Sequence, residues 1–237
     1  MKFSNEILEY LNGKKFSDGL HLRVVDKVTK PQKRIDFICN LIKDKKVIHI
    51  GFADHIPLID EKIKNNTWLH KLIVDKAHLC IGLDIDQDAV KYVRDKYNFT
   101  DLFCADIITD EILPVIKGNM WDYMILGEIL EHVDNPIYFL QKIREKYNGY
   151  AKELIISVPN ALDLNNLRNI KTHKEYINTD HRYWFTPYTL AKNAMRAGYE
   201  VGDFQYVHSY MPEGFLWRYL LNKFPMLRET IVMTVKL

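Results

Sequence analysis

Five short apolar runs in this sequence each lead into a carboxylate, a glycine or an asparagine, and this pattern constrains the fold strongly. Helix-like segments separate the runs, an order typical of βαβ units and a mostly parallel sheet. In such sheets ligands bind beyond the carboxyl ends of the strands. Acids there can accept hydrogen bonds from a ribose diol and an adenine amine, so the pattern predicts a nucleoside pocket. The runs are VIHIGFADH (47–55), CIGLDID (80–86), FCADI (103–107), WDYMILGEILEH (121–132) and LIISVPN (154–160).

The sequence therefore predicts an α/β fold with a Rossmann-like, seven-stranded, mostly parallel sheet and helices on both of its faces. A length of 237 residues suits one domain. We expect residues 1–237 to form that domain, with an N-terminal helical cap at 1–45 and acceptor-side insertions at 161–180 and 211–227. The predicted strands are 47–50, 79–84, 101–106, 121–126, 153–158, 199–210 and 230–236.

Composition and charge argue against nucleic-acid-binding, disulfide-stabilised and membrane-spanning proteins. Lys plus Arg is 33 against 31 for Asp plus Glu, so a net charge of +2 gives no reason to expect a nucleic acid partner. Three widely spaced cysteines indicate reduced thiols in a cytoplasmic protein. No run reaches the roughly 20 apolar residues of a membrane span. Residues 214–227 predict a helix that closes the site or contacts a second subunit of a homodimer, with contact to a membrane surface less favoured.

Three residues at strand ends are the main candidates for the nucleoside pocket. Gly51 stands where the chain turns sharply, and a glycine lets the backbone approach a ligand, although it also suits an ordinary turn. Asp84 is placed to bind both ribose hydroxyls, and Asp106 to bind an adenine amine or to cap its own loop. The dinucleotide fingerprint G-x-G-x-x-G is absent, since Ala53 and His55 occupy positions where further glycines are expected. This absence argues against an NAD-linked oxidoreductase.

The succession of HIGFADH, GLDID, CAD, WDYMILGEILEHVDNP and IISVPN resembles the class I S-adenosylmethionine-dependent methyltransferases over residues 34–210. NNTWLHK and HRYWFT also resemble a bacterial subgroup associated with surface polysaccharide assembly and capsule biosynthesis. The resemblance implies that S-adenosylmethionine is the cofactor and S-adenosylhomocysteine the product. It implies contacts with methionine at Gly51, Phe52, Ala53, Gly127 and Glu128, with ribose at Asp84 and Ile85, and with adenine at Asp106 and Ile107. Trp68 and His70 are expected to cover the cofactor, or Trp68 to pack in the core.

The expected acceptor is a small molecule, most plausibly a hydroxyl of a sugar, a nucleotide-linked sugar or a capsule precursor. A general base would assist such a transfer, and His132 and His181 are the candidates, although a lone histidine is more often structural. Glu131 could orient His132, but adjacent residues on a helix do not face each other. Asn160, Arg182 and Tyr183 complete the expected acceptor side.

Three further interpretations stay open at this point. No His, Asp and Glu cluster shows convincing ligand spacing, so the sequence predicts no metal, with a loose set of Asp54, Asp163 and Asp180 as the alternative. The methyl acceptor could instead be an amine, a phosphate or a phosphoramidate. The chain could also be a non-catalytic module that binds S-adenosylmethionine.

Overall fold

The computed structural model describes residues 1–209 and 214–237, and its seven strands form one hydrogen-bonded sheet in the order β3-β2-β1-β4-β5-β7-β6. Strand β1 pairs in parallel with β2 and β4, β2 pairs in parallel with β3, and β6 pairs antiparallel with β7. The predicted α/β, Rossmann-like fold with seven mostly parallel strands is confirmed. The strands are β1 (Lys46–Ile50), β2 (Leu79–Asp84), β3 (Leu102–Cys104), β4 (Trp121–Gly127), β5 (Ala151–Pro159), β6 (Glu200–Val207) and β7 (Thr230–Lys236).

Ten α-helices connect or flank these strands in the part of the chain that the structure describes. Helix α5 shows the local signals clearly, because Asp86 caps its first turn by accepting from the backbone N–H groups of Asp88 and Ala89. The helices are α1 (Asn5–Leu11), α2 (Arg34–Leu41), α3 (Ile56–Lys64), α4 (Leu69–Val74), α5 (Gln87–Tyr97), α6 (Pro114–Lys117), α7 (Pro136–Tyr147), α8 (Leu164–Ile170), α9 (Pro187–Arg196) and α10 (Phe215–Lys223).

The chain divides into two compact units. The β1–β4 unit comprises Ile35–Gly127, Lys142–Ile155 and Leu237, and the β6–β7 unit comprises Met1–Arg34, Glu128–Gln141 and Ile156–Lys236. That residues 1–237 act as a single methyltransferase domain stays a prediction. The helix predicted within 214–227 is confirmed as α10, whereas residues 211–213 of that insertion, and Tyr210 of the last predicted strand before it, lie outside the described residues.

Close packing beneath the first strand ends fixes the loops of the β1–β4 unit. Gly82 lies in the middle of β2, and a Cβ atom there would come within 2.7 Å of Leu102, 2.8 Å of Phe52 and 2.9 Å of His70. Because real Cβ contacts are not that short, only glycine lets these three side chains meet over the strand. The loop that follows β1 is therefore anchored from below through Phe52, which is almost fully buried.

A buried arginine ties the N-terminal segment to the rest of the β6–β7 unit. The Arg228 side chain is fully buried, and its Nε donates to the Leu221 carbonyl at 3.1 Å. The guanidinium also donates to the Tyr206 carbonyl and to both the hydroxyl and the carbonyl oxygen of Thr29. These bonds hold the segment that leads into Arg34. None of the helices within residues 1–209 and 214–237 combines the length and the apolar character needed to cross a bilayer.

Candidate active site

The loop after β1 and the end of β2 meet at the carboxylate of Asp84. Gly51 has φ +62°, a conformation that favours glycine, and its N–H donates to the Leu83 carbonyl at 2.8 Å. The Ala53 N–H donates to Asp84 Oδ2 at 2.9 Å, and the Asp86 N–H donates to Oδ1 at 3.0 Å. Each oxygen thus has one backbone donor and keeps lone pairs for a ligand. The carboxylate is oriented before any ligand binds.

The electrostatics of Asp84 follow from its partly buried position. Burial raises the pKa of its carboxyl group, and the backbone N–H donors of Asp86 and Ala53 oppose that shift. Beside it, Ile85 is 75% exposed, although it directly follows a buried strand. An apolar side chain in that place could contact the face of a nucleobase.

Asp106 has the second of its two predicted roles, since its side chain caps its own loop. Its Oδ1 accepts from the backbone N–H groups of Ile108 at 2.7 Å and Thr109 at 3.3 Å, so it caps its own loop. Burial raises the pKa of Asp106, but these hydrogen bonds outweigh it and the pKa lies below its usual value. Ile107 is buried. The carboxylate is therefore ionised and fixed, and its contact with an adenine amine stays a prediction.

Trp68 and His70 pack in the core of the β1–β4 unit. Each is 1% exposed, and their rings contact Phe52 and Phe99. Nδ1 of His70 lies 3.1 Å from Nδ1 of the equally buried His49. These side chains support the Gly51 loop from below, and the expectation that they cover the cofactor stays a prediction. Core packing, the alternative for Trp68, holds for both.

The buried His70 predicts a measurable acid sensitivity. Burial lowers the pKa of His70 to about 3, so it stays neutral in the folded protein while the unfolded chain takes up a proton near the ordinary value. Its contribution to stability is present above that ordinary pKa and is lost as the pH falls below it. Between about pH 7.5 and about pH 5, His70 is expected to cost about 2 kcal/mol of unfolding free energy.

Urea unfolding of the wild type and of His70→Asn at the two pH values isolates this contribution. Asparagine removes the titrating group but leaves a hydrogen-bonding side chain beside His49. The wild type is expected to lose about 2 kcal/mol more than the variant on acidification. An identical loss in the two proteins would show that His70 accepts a proton without disturbing the fold.

A second cluster lies in the β6–β7 unit, where Glu131, His132 and His181 come together. One ligand atom from each residue lies within 4.8 Å of the others. Nε2 of His181 is 3.9 Å from Oε1 of Glu131, and the two imidazole rings are nearly perpendicular at a centroid distance of 4.6 Å. Two imidazole nitrogens and a carboxylate oxygen form a donor set that suits a divalent cation.

Glu131 itself fits a role as a metal ligand. Its side chain is 0% exposed, and neither of its carboxylate oxygens accepts a hydrogen bond from any described residue. Burial and the neighbouring charge of Glu128 raise its pKa far above the usual range, with Arg34 acting in the opposite direction. Buried carboxylates in proteins are normally paired or bound to metal. The cluster offers a place for a cation that would compensate this charge.

Backbone contacts explain why residues about 50 positions apart meet here. The Arg182 N–H donates to the Glu131 carbonyl at 2.8 Å, its guanidinium donates to the His132 carbonyl, and its Nε lies 2.9 Å from Oδ1 of Asp134. The Tyr183 hydroxyl donates to the Asp134 carbonyl at 2.7 Å. Arg182 and Tyr183 therefore hold the loop that carries His181, and direct contact of either with an acceptor stays a prediction.

Glu128 stands beside this cluster in a strained conformation. Its φ of +60° is unusual for a residue with a side chain, and strain of this kind concentrates at functional sites. Its N–H donates to the Ser157 carbonyl at 3.0 Å, and its Oε1 lies 3.6 Å from Nη1 of Arg34. The same Arg34 nitrogen donates to the Ser157 hydroxyl at 3.2 Å. Arg34, which the sequence did not single out, thus holds the Glu128 carboxylate.

The remaining acidic and amide candidates have structural partners. Asp54 pairs with Lys62 at 2.5 Å, and Asp163 caps α8 by accepting from the Asn166 N–H. Among the described residues these two do not join Asp180 in a ligand cluster. Asn160 is fully buried, and its amide nitrogen donates to the carbonyls of Met226 and Arg228. We therefore leave Asn160 out of the acceptor site proposed below.

No protein-family model matches the chain, and no curated protein matches it, but solved structures do. The small RNA methyltransferase HEN1 superposes with a TM-score of 0.57 and 17% identity over 93% of this chain, which spans only 27% of the length of HEN1. The methyltransferase domain of a bacterial Hen1, CtHen1-CN, gives 0.51 and 17% over 87% of this chain and 98% of that domain. The magnesium protoporphyrin IX methyltransferase of Synechocystis PCC 6803, solved with bound S-adenosylhomocysteine, gives 0.50 and 13% over 85% of this chain and 81% of that enzyme.

These similarities concern the fold, and they do not support the polysaccharide-associated subgroup that the insertions resemble. All three are methyltransferases, and the substrates named for HEN1 and for the protoporphyrin enzyme differ. The chain has the fold of the class I S-adenosylmethionine-dependent methyltransferases.

Proposed function

We propose that this chain is an S-adenosylmethionine-dependent O-methyltransferase whose acceptor is a sugar hydroxyl and whose cation ligands are Glu131, His132 and His181. One observation carries the proposal: a fully buried carboxylate without a hydrogen bond, beside two imidazole rings within ligand distance. The fold favours S-adenosylmethionine as the methyl donor. The cluster of Glu131, His132 and His181 favours a reaction in which the acceptor hydroxyl is activated.

Residues of the β1–β4 unit bind the adenosyl group in this proposal. The Asp84 carboxylate, oriented by Ala53 and Asp86, accepts from the ribose hydroxyls, and the exposed Ile85 contacts the adenine. Asp106 and Ile107 bind the adenine edge, and the Gly51 loop and Gly127 bind the methionine portion. The sulfonium of the cofactor supplies an electrophilic methyl group, so the protein has mainly to position the two reactants.

Residues of the β6–β7 unit prepare the acceptor. Glu131, His132 and His181 would hold a divalent cation, which lowers the pKa of a coordinated hydroxyl group. Arg182 and Tyr183 keep His181 in place, and Arg34 holds the Glu128 carboxylate. In the alternative without a cation, His132 or His181 accepts the proton directly as a general base.

Two kinds of sugar hydroxyl are candidates. The sequence and its small net charge favour the first kind, the hydroxyl of a free sugar, a nucleotide-linked sugar or a capsule precursor. A ribose hydroxyl of RNA is the second candidate, favoured by the cation cluster together with the two Hen1 folds, one of which is a small RNA methyltransferase. Methylation of an amine or a phosphate is disfavoured because an amine needs no strong base and a phosphate no activated hydroxyl.

Transfer of a labelled methyl group from S-adenosylmethionine to a panel of acceptors tests the proposal. The panel contains sugar nucleotides and short RNA, each with Mg²⁺ or Mn²⁺ and with a chelator. We expect transfer to a sugar that stops with the chelator and returns with the cation. Undiminished transfer in the presence of the chelator would show that no cation takes part in the reaction, and would favour a histidine as the general base. Tight S-adenosylhomocysteine binding without transfer to any acceptor would favour a non-catalytic module.

A further inference from the structure

Exposed apolar side chains are concentrated in two segments of the β6–β7 unit, residues 162–177 and 215–224. Among the described residues, nine of the seventeen large apolar side chains that are exposed lie in these segments. Scattered exposed apolar residues are normal on a protein surface, but a concentration marks an interaction site. The nine are Leu162, Leu167, Ile170, Tyr176, Ile177, Phe215, Leu216, Tyr219 and Phe224.

Helix α10 presents much of its apolar surface outwards. Phe215 is 86% exposed and Leu216 is 59% exposed, and Tyr219 lies one turn after Phe215 and is exposed as well. Leu221 is the buried residue of this helix. A helix that served only the core would bury its apolar stripe. Helix α10 therefore has a second apolar face that is exposed to solvent in the part of the chain that the structure describes.

Helices α8 and α10 belong to one surface. The guanidinium of Arg168 on α8 lies over the Trp217 ring of α10, 4.6 Å from its centroid. We call the exposed faces of these helices, together with the residues that follow α8 up to 177, the α8/α10 surface. Its apolar side chains thus come from two helices that contact each other through a cation–π pair.

The charge of this surface is predominantly positive. Residues 164–177 and 214–224 contain five Lys and Arg residues and one acid, Glu175, a net charge of +4, although the whole chain is nearly neutral at +2. A cationic, partly apolar surface is complementary to an anionic partner that also accepts apolar side chains. The five are Arg168, Lys171, Lys174, Arg218 and Lys223.

We propose that the α8/α10 surface docks on an anionic membrane surface, with Phe215, Leu216 and Tyr219 entering the headgroup region and the basic residues contacting lipid phosphates. Peripheral membrane helices combine these same two features. Single-stranded nucleic acid also selects basic and aromatic residues, but five of the nine exposed apolar side chains are Leu or Ile, which offer no ring on which a base could stack. The inference does not depend on the proposed methyl transfer.

Vesicle co-sedimentation tests this docking with the full chain. The vesicles consist of phosphatidylcholine alone or of phosphatidylcholine mixed with phosphatidylserine. We expect binding only to the anionic vesicles. The double variant Phe215→Ser/Leu216→Ser should lower the partition coefficient at least about tenfold, and Lys171→Gln/Lys223→Gln should lower it about twentyfold. The variant Phe16→Ser, which removes an equally exposed phenylalanine outside the α8/α10 surface, should bind like the wild type.

Several results would overturn the inference. Absence of binding to both vesicle types, equal binding to the two, or unchanged binding by the Phe215/Leu216 variant would each do so. Binding of a short single-stranded RNA without vesicle binding would assign the surface to nucleic acid. A change of oligomeric state in the variants without vesicle binding would assign it to a second copy of the chain. Thermal unfolding of each variant shows that it is folded, as expected for substitutions of exposed side chains.

Discussion

Replacement of Glu131 by Gln is expected to lower the rate of methyl transfer at least about a hundredfold. The variant loses the charged ligand of the proposed cation, and without that cation the acceptor hydroxyl is no longer activated. Glu131 is fully buried and its oxygens receive no hydrogen bond from the other described residues, so glutamine breaks no hydrogen bond between residues. The fold should therefore survive. The measurements are kcat/KM at varied Mn²⁺ and direct Mn²⁺ binding by electron paramagnetic resonance.

The binding measurement separates the two mechanisms left open by the cluster. If His132, His181 and Glu131 are ligands, then Glu131→Gln and His181→Ala should both weaken Mn²⁺ binding while S-adenosylhomocysteine binding stays unchanged. If His132 is a general base, only His132→Ala should abolish transfer, with a change in the pH profile and no effect of the cation. Glu145→Gln, an exposed glutamate of α7 paired with Lys142, is the matched control. Wild-type kinetics and Mn²⁺ binding in Glu131→Gln would contradict the metal site.

The strand ends could be predicted from the sequence because the signals for them are local. Apolar runs of four to seven residues indicated the strands, and the structure keeps Gly51, Asp84 and Asp106 at or just after three strand ends, as predicted. Gly51 could be recognised because its positive φ is a property of its own backbone. Short helices such as α6 and α8 gave too little periodicity for a prediction, since four to seven residues make at most two turns.

The cluster of Glu131, His132 and His181 could not be predicted because its geometry is not local. Glu131 and His132 are adjacent in sequence, whereas His181 reaches them through hydrogen bonds that Arg182 makes to their backbone carbonyls. Contacts of this kind to backbone carbonyls produce no characteristic residue spacing, so no sequence motif reveals them. The burial of His70 could not be predicted for a related reason: the glycine at position 82 opens the space that buries His70, and this depends on β2 passing beneath the loop. Both histidines of the cluster had been selected, but as alternative bases and not as joint ligands.

Loss of the Asp84 carboxylate should have the second large effect. Asp84→Ala removes the acceptor proposed for the ribose hydroxyls, and hydrogen bonds to a charged group contribute enough that S-adenosylhomocysteine affinity should fall about tenfold to a hundredfold. The same substitution frees the N–H groups of Ala53 and Asp86, so the loop after β1 loses its anchor as well. Isothermal titration with S-adenosylhomocysteine measures the affinity. Asp75→Ala, which removes an exposed carboxylate paired with Lys71, should bind like the wild type.

The variant Asp84→Asn separates the ribose contact from the loop anchor. Asparagine keeps one oxygen for a backbone N–H but places an NH₂ group against the other donor, so a smaller loss than in the alanine variant is expected. The pH dependence of S-adenosylhomocysteine binding tests the role of the charge. Because burial raises the pKa of Asp84, the wild type should lose affinity on acidification at a higher pH than it would with an ordinary aspartate. Asp84→Asn has no carboxylate to protonate and should lack this step. Wild-type affinity in Asp84→Ala, or the same pH step in Asp84→Asn, would place the ribose contact on another residue and leave Asp84 as a loop anchor alone.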